Sequence, residues 1–482
     1  MMKPEEEASL LRDELIGVPE KLMNWGKIRM IVTRNPATEE VISEYPTLSA
    51  AELDSRIDRS ASAFETWKST SIEHRAELLR RIAAEIRNSL EDSARMISIE
   101  MGKPLSEARA EVEKCATGCE FYAEHGPGFL ANEEVETDAS KSYVRFDPLG
   151  CVLAVMPWNF PFWQVLRFAA PTLLAGNVGL LKHASNVTGC ALEIEKILHR
   201  AGVPEDVFQT LVIPSSDVAS VIENRNVRAV SLTGSEAAGS AVAEVAGKHL
   251  KKLVLELGGS DPFIVLEDAD LEKVIPKAVQ SRTMNAGQSC IAAKRFLVVQ
   301  SVYPEFVERL TEAMREIQVG DPLDASTKMG PLAREDLVED LDQQVKKSIS
   351  QGAQLMTGGK KLDRTGHFYA PTVLAGATTE MTCLKEETFG PVASVASVAN
   401  ADEAVRIANS SKYGLGGSIW SQDISRAEQI AAQIESGSVF INEFTKSDPK
   451  VPFGGVKDSG YGRELSVFGI REFVNTKTVW IA

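Results

Sequence analysis

The chain has 482 residues, room for about three domains of the usual size. Hydrophobic residues make up 44% and charged residues 25%, the balance of an ordinary folded chain, which excludes collagen-like, coiled-coil and disordered architectures. Acidic side chains outnumber basic ones by 68 to 52, and the resulting charge of −16 repels phosphate backbones and anionic headgroups, so no nucleic acid and no membrane surface is expected as a partner.

Residues 1–30 mix Glu5, Glu6, Glu7, Asp13 and Glu14 with a few basic residues, and lack both the apolar run of a signal peptide and the acid-poor helix of a transit peptide. Met30 offers an alternative start, which would make this segment an extension. From 50 to 118 apolar residues recur three and four apart, as in Arg80-Arg81-Ile82-Ala83-Ala84-Glu85-Ile86, predicting amphipathic helices that cover a sheet. Gly126-Pro127-Gly128 and Gly320-Asp321-Pro322 read as loop punctuation. The longest uncharged stretch, 148–166, contains Pro157, Asn159, Pro161 and Gln164, which a lipid-exposed helix would struggle to accommodate, so it reads as buried core.

Short apolar runs at 152–156, 178–182, 208–212, 229–233 and 253–257 alternate with helical stretches at 164–175, 187–201, 217–223 and 236–250. That alternation predicts a parallel, doubly wound α/β sheet with ligands at the carboxyl ends of its strands. A second series, at 263–266, 296–299, 392–398, 418–420 and 439–442, predicts a second α/β lobe. The segments 141–146 and 476–482 look like strands of neither series and suggest a projecting flap.

Six cysteines (Cys115, Cys119, Cys151, Cys190, Cys290, Cys383) form neither a dense framework nor a C-x-x-C pair, which fits a reducing cytosol. G-x-G-x-x-G, P-loop, H-E-x-x-H and G-x-S-x-G fingerprints are absent, and no metal-ligand cluster offers a rival chemistry. Three local clusters remain. Pro157-Trp158-Asn159-Phe160-Pro161 ends a buried strand and offers a side-chain amide. Glu256-Leu257-Gly258-Gly259 places a carboxylate at another strand end, where desolvation raises its pKa toward that of a general base. Asn285-Ala286-Gly287-Gln288-Ser289-Cys290 is a small-residue loop able to deliver a thiol. Singly, these also read as a turn, a helix cap and a small buried hydrophobe; together they suggest nucleophilic catalysis on a carbonyl.

At these residues the sequence resembles the aldehyde dehydrogenase superfamily, from Asn35-Pro36-Ala37-Thr38 through Thr233-Gly234-Ser235 and Glu387-Thr388-Phe389-Gly390-Pro391-Val392 to Pro452-Phe453-Gly454-Gly455. The resemblance implies the α/β aldehyde dehydrogenase fold: a Rossmann-like NAD(P)-binding domain (31–137 and 148–258), an α/β catalytic domain (259–458) and a β-strand oligomerisation flap (138–147 and 470–482) that makes homodimers or homotetramers. It implies Cys290 as nucleophile, Asn159 and the Cys290 backbone N–H as oxyanion donors, and Glu256 as the base that activates water against the thioester. Trp158, Lys182, Ser185, Gly234, Ser235, Gly239, Leu257, Glu387 and Phe389 become the cofactor residues. Many NAD-preferring members carry a Glu three residues after that Lys; here Ser185 leaves room for a 2′-phosphate, so NADP is expected, with NAD possible.

Within the family the chain resembles the short bacterial succinate-semialdehyde dehydrogenases, which implies a small aldehyde with a distal carboxylate. Arg167, Arg295 and Ser447 fall where those enzymes bind it, and an arginine fork suits a carboxylate. Glutarate semialdehyde and lactaldehyde are the nearest alternative substrates. A non-catalytic protein on the same fold is the rival from another class, against which the joint presence of Asn159, Glu256 and Cys290 argues.

Overall fold

The computed structural model describes residues 29–482, and the expectation for the preceding extension lies outside them. Two antiparallel strands, Met30–Arg34 and Val41–Pro46, lead into four helices: Ala50–Trp67, Ile72–Asn88, Leu90–Met101 and Leu105–Phe129. The first starts at a capping box, in which Ser49 accepts from the Glu52 N–H and Glu52 from the Ser49 N–H. The third stops at Gly102, whose φ of +92° and close approach to Pro331 no side chain would tolerate.

Gly126-Pro127-Gly128 is no loop but the last turn of the Leu105–Phe129 helix. Two tertiary contacts override the local signal. A Cβ at Gly126 would stand 2.1 Å from Leu174, so the glycine serves close packing. Pro127 has no N–H for the Ala123 carbonyl, and the Arg80 guanidinium reaches that oxygen instead, at 3.4 Å.

The first apolar series forms a six-stranded sheet in the order Gly460–Tyr461, Lys252–Glu256, Val227–Thr233, Cys151–Met156, Val178–His183 and Phe208–Thr210. The five strands of the series run parallel, and Gly460–Tyr461 adds antiparallel to their edge. From Cys151–Met156 the chain winds outward on one side, then returns to build the other, so a topological switch point lies between Met156 and Thr233. The second series, with Gln354–Thr357 and Thr372–Ala375, which the sequence reading missed, forms a seven-stranded sheet with Ala293–Val299 at its centre, flanked by Asp261–Val265 and Val392–Val398. The two remaining strands pair with each other: Lys141–Pro148 and Val474–Ile481 run antiparallel over their full length, joined by the short Glu133–Glu134. Among the described residues no helix is long and apolar enough to cross a membrane.

Candidate active site

Cys290 lies in the turn between the Leu271–Thr283 helix and the Ala293–Val299 strand. The reversal is made by three consecutive residues in left-handed backbone, Asn285 (φ 54°), Ala286 (φ 53°) and Gly287 (φ 74°). Such a run costs on the order of 1 kcal/mol or more and persists only where its surroundings over-determine it. They do so here. Arg282 donates to the carbonyls of Gly287 (2.6 Å) and Ala293 (2.9 Å), and the Asn285 N–H donates to Glu107 (2.8 Å). The Gln288 side chain accepts from the Ala333 N–H at 2.9 Å. Fully buried Lys294 donates to the carbonyls of Ser289 and Cys290, each at 2.8 Å, and pairs with Glu387 at 3.2 Å.

The Asn159 loop meets this turn directly. Asn159 Nδ2 donates to the Gln288 carbonyl (3.1 Å), and Asn285 Nδ2 returns a bond to the Asn159 carbonyl (2.7 Å). Buried His183 sits beneath: its Nδ1 accepts from the Ala184 N–H and its Nε2 lies 2.9 Å from the Pro161 carbonyl. Burial pushes this imidazole down to about 4, so it is a neutral positioning group for the 157–161 loop.

Cys290 is the one cysteine of six not fully buried. Desolvation pushes its thiol up to about 12, against the pull of Lys294 and Arg167. Glu256 is 2% exposed and neither carboxyl oxygen has a hydrogen-bond partner among the described residues. Burial, and then the neighbouring Glu464, raise its pKa well above the ordinary carboxylate value. The segment beyond Glu256 packs on the nucleophile turn, since a Cβ at Gly259 would stand 2.6 Å from the Cys290 carbonyl.

The thiol opens on a cavity of about 430 Å³ walled by Phe160, Trp163, Arg167, Phe444, Ser447 and Phe453. Glu107, Glu111 and Lys114 reach it from one face of the Leu105–Phe129 helix, Lys103 from the residues before that helix, and Lys446 from the loop that carries Ser447. Arg167 is ion-paired with Glu464 and donates to Thr233 Oγ1 at 3.4 Å, while its guanidinium lies over the Phe453 ring. Ser447 Oγ accepts from Lys114 Nζ (2.7 Å) and from Trp163 Nε1 (3.1 Å).

Arg295 is not in this cavity, which corrects the expectation that it binds a substrate carboxylate. It follows Lys294 on a strand, and successive side chains on a strand point to opposite faces. Lys294 faces the nucleophile turn; Arg295 faces away and donates to the carbonyls of Ser260 (2.7 Å), Ile407 (3.0 Å) and Ala408 (3.0 Å). Two of those carbonyls belong to the last turn of the Ala401–Asn409 helix, where Ile407 also accepts from Ser410 and Arg295 adds a charged donor to each.

The residues expected to bind the dinucleotide gather at the switch point. Ser235 caps the Glu236–Lys248 helix, accepting from the Ala238 N–H, so that helix's first N–H groups open onto the crevice. Gly234 has no side-chain or backbone atom closer than 3.7 Å to its missing Cβ, leaving an open approach. A Cβ on Gly239 would meet Leu257 at 2.6 Å, and one on Gly258 would meet a Glu387 oxygen at 2.6 Å. Only glycines leave this cradle open. Glu387 accepts from the Gly259 N–H, and Phe389 stands edge-on to Trp158 with centroids 5.8 Å apart. Lys182 ends its strand with Nζ 3.4 Å from Ser215 Oγ, and partly exposed Ser185 lies in the following turn. Bare helix N–H groups, a carboxylate and a lysine with two hydroxyls nearby fit a phosphorylated dinucleotide. Ser215, Glu464, Lys294 and Lys114 escaped the sequence reading; only Lys294, four residues past the thiol, left a local signal.

Residues 25–479 match the model of the aldehyde dehydrogenase family. A probable succinate-semialdehyde dehydrogenase [NADP(+)] of Synechocystis is 48% identical over 452 residues, covering 94% of this chain and 100% of the relative. The succinate semialdehyde dehydrogenase [NAD(P)+] Sad of Escherichia coli K12 is 47% identical over 93% of this chain and 97% of its own. The crystal structure of succinic semialdehyde dehydrogenase from Streptococcus pyogenes in complex with NADP+ superposes with a TM-score of 0.92, at 39% identity over 94% of this chain and 99% of that one. Matched by the family's model over nearly its whole length and folded on the same frame as its solved relatives, the chain belongs to the aldehyde dehydrogenase family.

Proposed function

We propose that the protein oxidises succinate semialdehyde to succinate with NADP+. The observation that carries the reading is Cys290, seated on its strained turn at a cavity whose walls present Arg167 and Ser447. Asn159 Nδ2 and the Cys290 N–H are the donors for the oxyanion that forms when the thiol adds to the aldehyde, giving a thiohemiacetal. Gly234, Ser235, Gly239, Leu257 and Glu387 would hold NADP+, which when bound would supply the hydride acceptor for oxidation of the adduct to the thioester. Glu256, its carboxyl raised by burial, takes the proton of the attacking water. Lys182, Ser185 and Ser215 would hold the cofactor's 2′-phosphate.

The same reading makes the enzyme cytosolic, consistent with six free thiols. It also makes the enzyme a homo-oligomer. Val474–Ile481 is an edge strand with Trp480 52% and Ile481 47% exposed, an unpaired template for a second copy.

The test is reduced-cofactor formation with succinic semialdehyde, glutaric semialdehyde, butanal and lactaldehyde, each with NAD+ and NADP+, beside Cys290→Ala. Highest efficiency for succinic semialdehyde with NADP+ and a dead variant are expected. A neutral aldehyde winning would remove the carboxylate site, a longer semialdehyde would change the substrate, and an active variant would overturn the mechanism.

A further inference from the structure

The cavity wall carries four cations, and three of them have a carboxylate partner. Lys103 is ion-paired with Glu111, whose other oxygen accepts from the N–H groups of Phe162 and Trp163. Arg167 is ion-paired with Glu464, and Lys446 lies 3.4 Å from Glu443. Among the described residues Lys114 has no carboxylate within ion-pair distance, although it lines the same cavity. A half-buried cation without an anion is costly unless a ligand supplies the anion.

Its contacts are those of a receptor. Lys114 lies over the face of Trp163, 4.3 Å from Nζ to the ring centroid, which fixes the flexible stem. Ser447 Oγ spends both acceptor positions on Lys114 Nζ and Trp163 Nε1, so its own O–H is left to donate. The ammonium has three donors and gives only one to Ser447. Two N–H groups and one O–H, on atoms 2.7 Å apart, therefore remain, enough for the two oxygens of a carboxylate.

We propose that Lys114, held by Ser447 and Trp163, is the residue that receives the distal carboxylate of the substrate and sets the preference for a semialdehyde acid over a neutral aldehyde. The proposal deepens the succinate-semialdehyde reading and rests on it. Arg167 contributes shape and a donor to the same wall, but its charge is already balanced by Glu464.

The experiment compares wild type, Lys114→Met, Lys114→Arg and Ser447→Ala with succinic semialdehyde and butanal at saturating NADP+. Lys114→Met is expected to lower the ratio of the two efficiencies about 30-fold or more, through the KM of the charged aldehyde. Ser447→Ala moves the ratio the same way by less, and Lys114→Arg recovers part of it. Succinate, added without turnover, raises the melting temperature of wild type and not that of Lys114→Met, a readout independent of the chemical step. A wild type that does not distinguish the two aldehydes overturns the substrate reading, and this inference with it. A wild type that prefers succinic semialdehyde, beside a folded Lys114→Met variant with an unmoved ratio, overturns the role of Lys114 and leaves the reading intact.

Discussion

Arg295 offers the sharpest test of the geometry, because its place in the sequence suggests substrate binding and its place in the structure assigns it to stability. Replacing it with Met removes three hydrogen bonds from a side chain only 2% exposed, and leaves the carbonyls of Ser260, Ile407 and Ala408 without that donor. Charge-assisted bonds contribute roughly 1.5 to 3 kcal/mol each, so even the low end gives a loss of about 5 kcal/mol and, for a chain of this length, a melting temperature lower by about 5 °C. Met fills part of the volume, so the loss is of polar contacts more than of packing. Arg295→Lys retains the charge but cannot span three carbonyls, and should recover a minor share. The assay is thermal denaturation of wild type and both variants, followed by KM for succinic semialdehyde and butanal on the folded fraction. The two KM values should shift together or not at all. An Arg295→Met enzyme that melts with wild type and binds only succinic semialdehyde more weakly would refute the reasoning.

Three further outcomes are expected. Glu107 lines the cavity among Lys103, Glu111 and Lys114, and burial raises its carboxyl to about 7, so it is neutral below that pH and charged above it. KM for an anionic aldehyde should therefore rise as pH climbs through about 7, and Glu107→Gln should flatten that part of the profile; an unchanged rise in the variant would assign it elsewhere. In cofactor-free enzyme, native iodoacetamide labelling read by mass spectrometry should modify Cys290 alone, at a rate growing about tenfold per pH unit on the alkaline side of neutrality; a pH-independent rate would contradict a thiol held up to about 12. Gly454→Ala should cut turnover of charged and neutral aldehydes alike, because the residue sits at φ +149° and a Cβ would stand 2.6 Å from Glu256 Oε1; wild-type kcat in that variant would show that the Glu256 carboxyl is free to move.

The parallel strands were legible because burial on both faces demands unbroken apolar runs, and Cys151–Met156 and Val178–His183 are such runs. The strand ends then pointed to Asn159, Glu256 and the candidate cofactor residues, since a doubly wound sheet binds ligands at its carboxyl edge. Pro127 inside a helix was not legible: the guanidinium that answers its missing N–H comes from Arg80, on another helix.

The sequence by itself determined the fold class and singled out Cys290, Glu256 and the strand edge as candidates, because each depends on local pattern: period, strand ends, and a glycine where a backbone must turn. Only the tertiary structure decided which cations share the substrate cavity. Arg295 and Lys294 are neighbours whose roles diverge because a strand sends adjacent side chains to opposite faces. Lys114 and Ser447 are 333 residues apart and carry no motif, yet the packing of the Leu105–Phe129 helix against the loop that bears Ser447 sets them 2.7 Å from each other. Charge balance is a property of what surrounds a residue in space, so it is fixed only when the chain has folded.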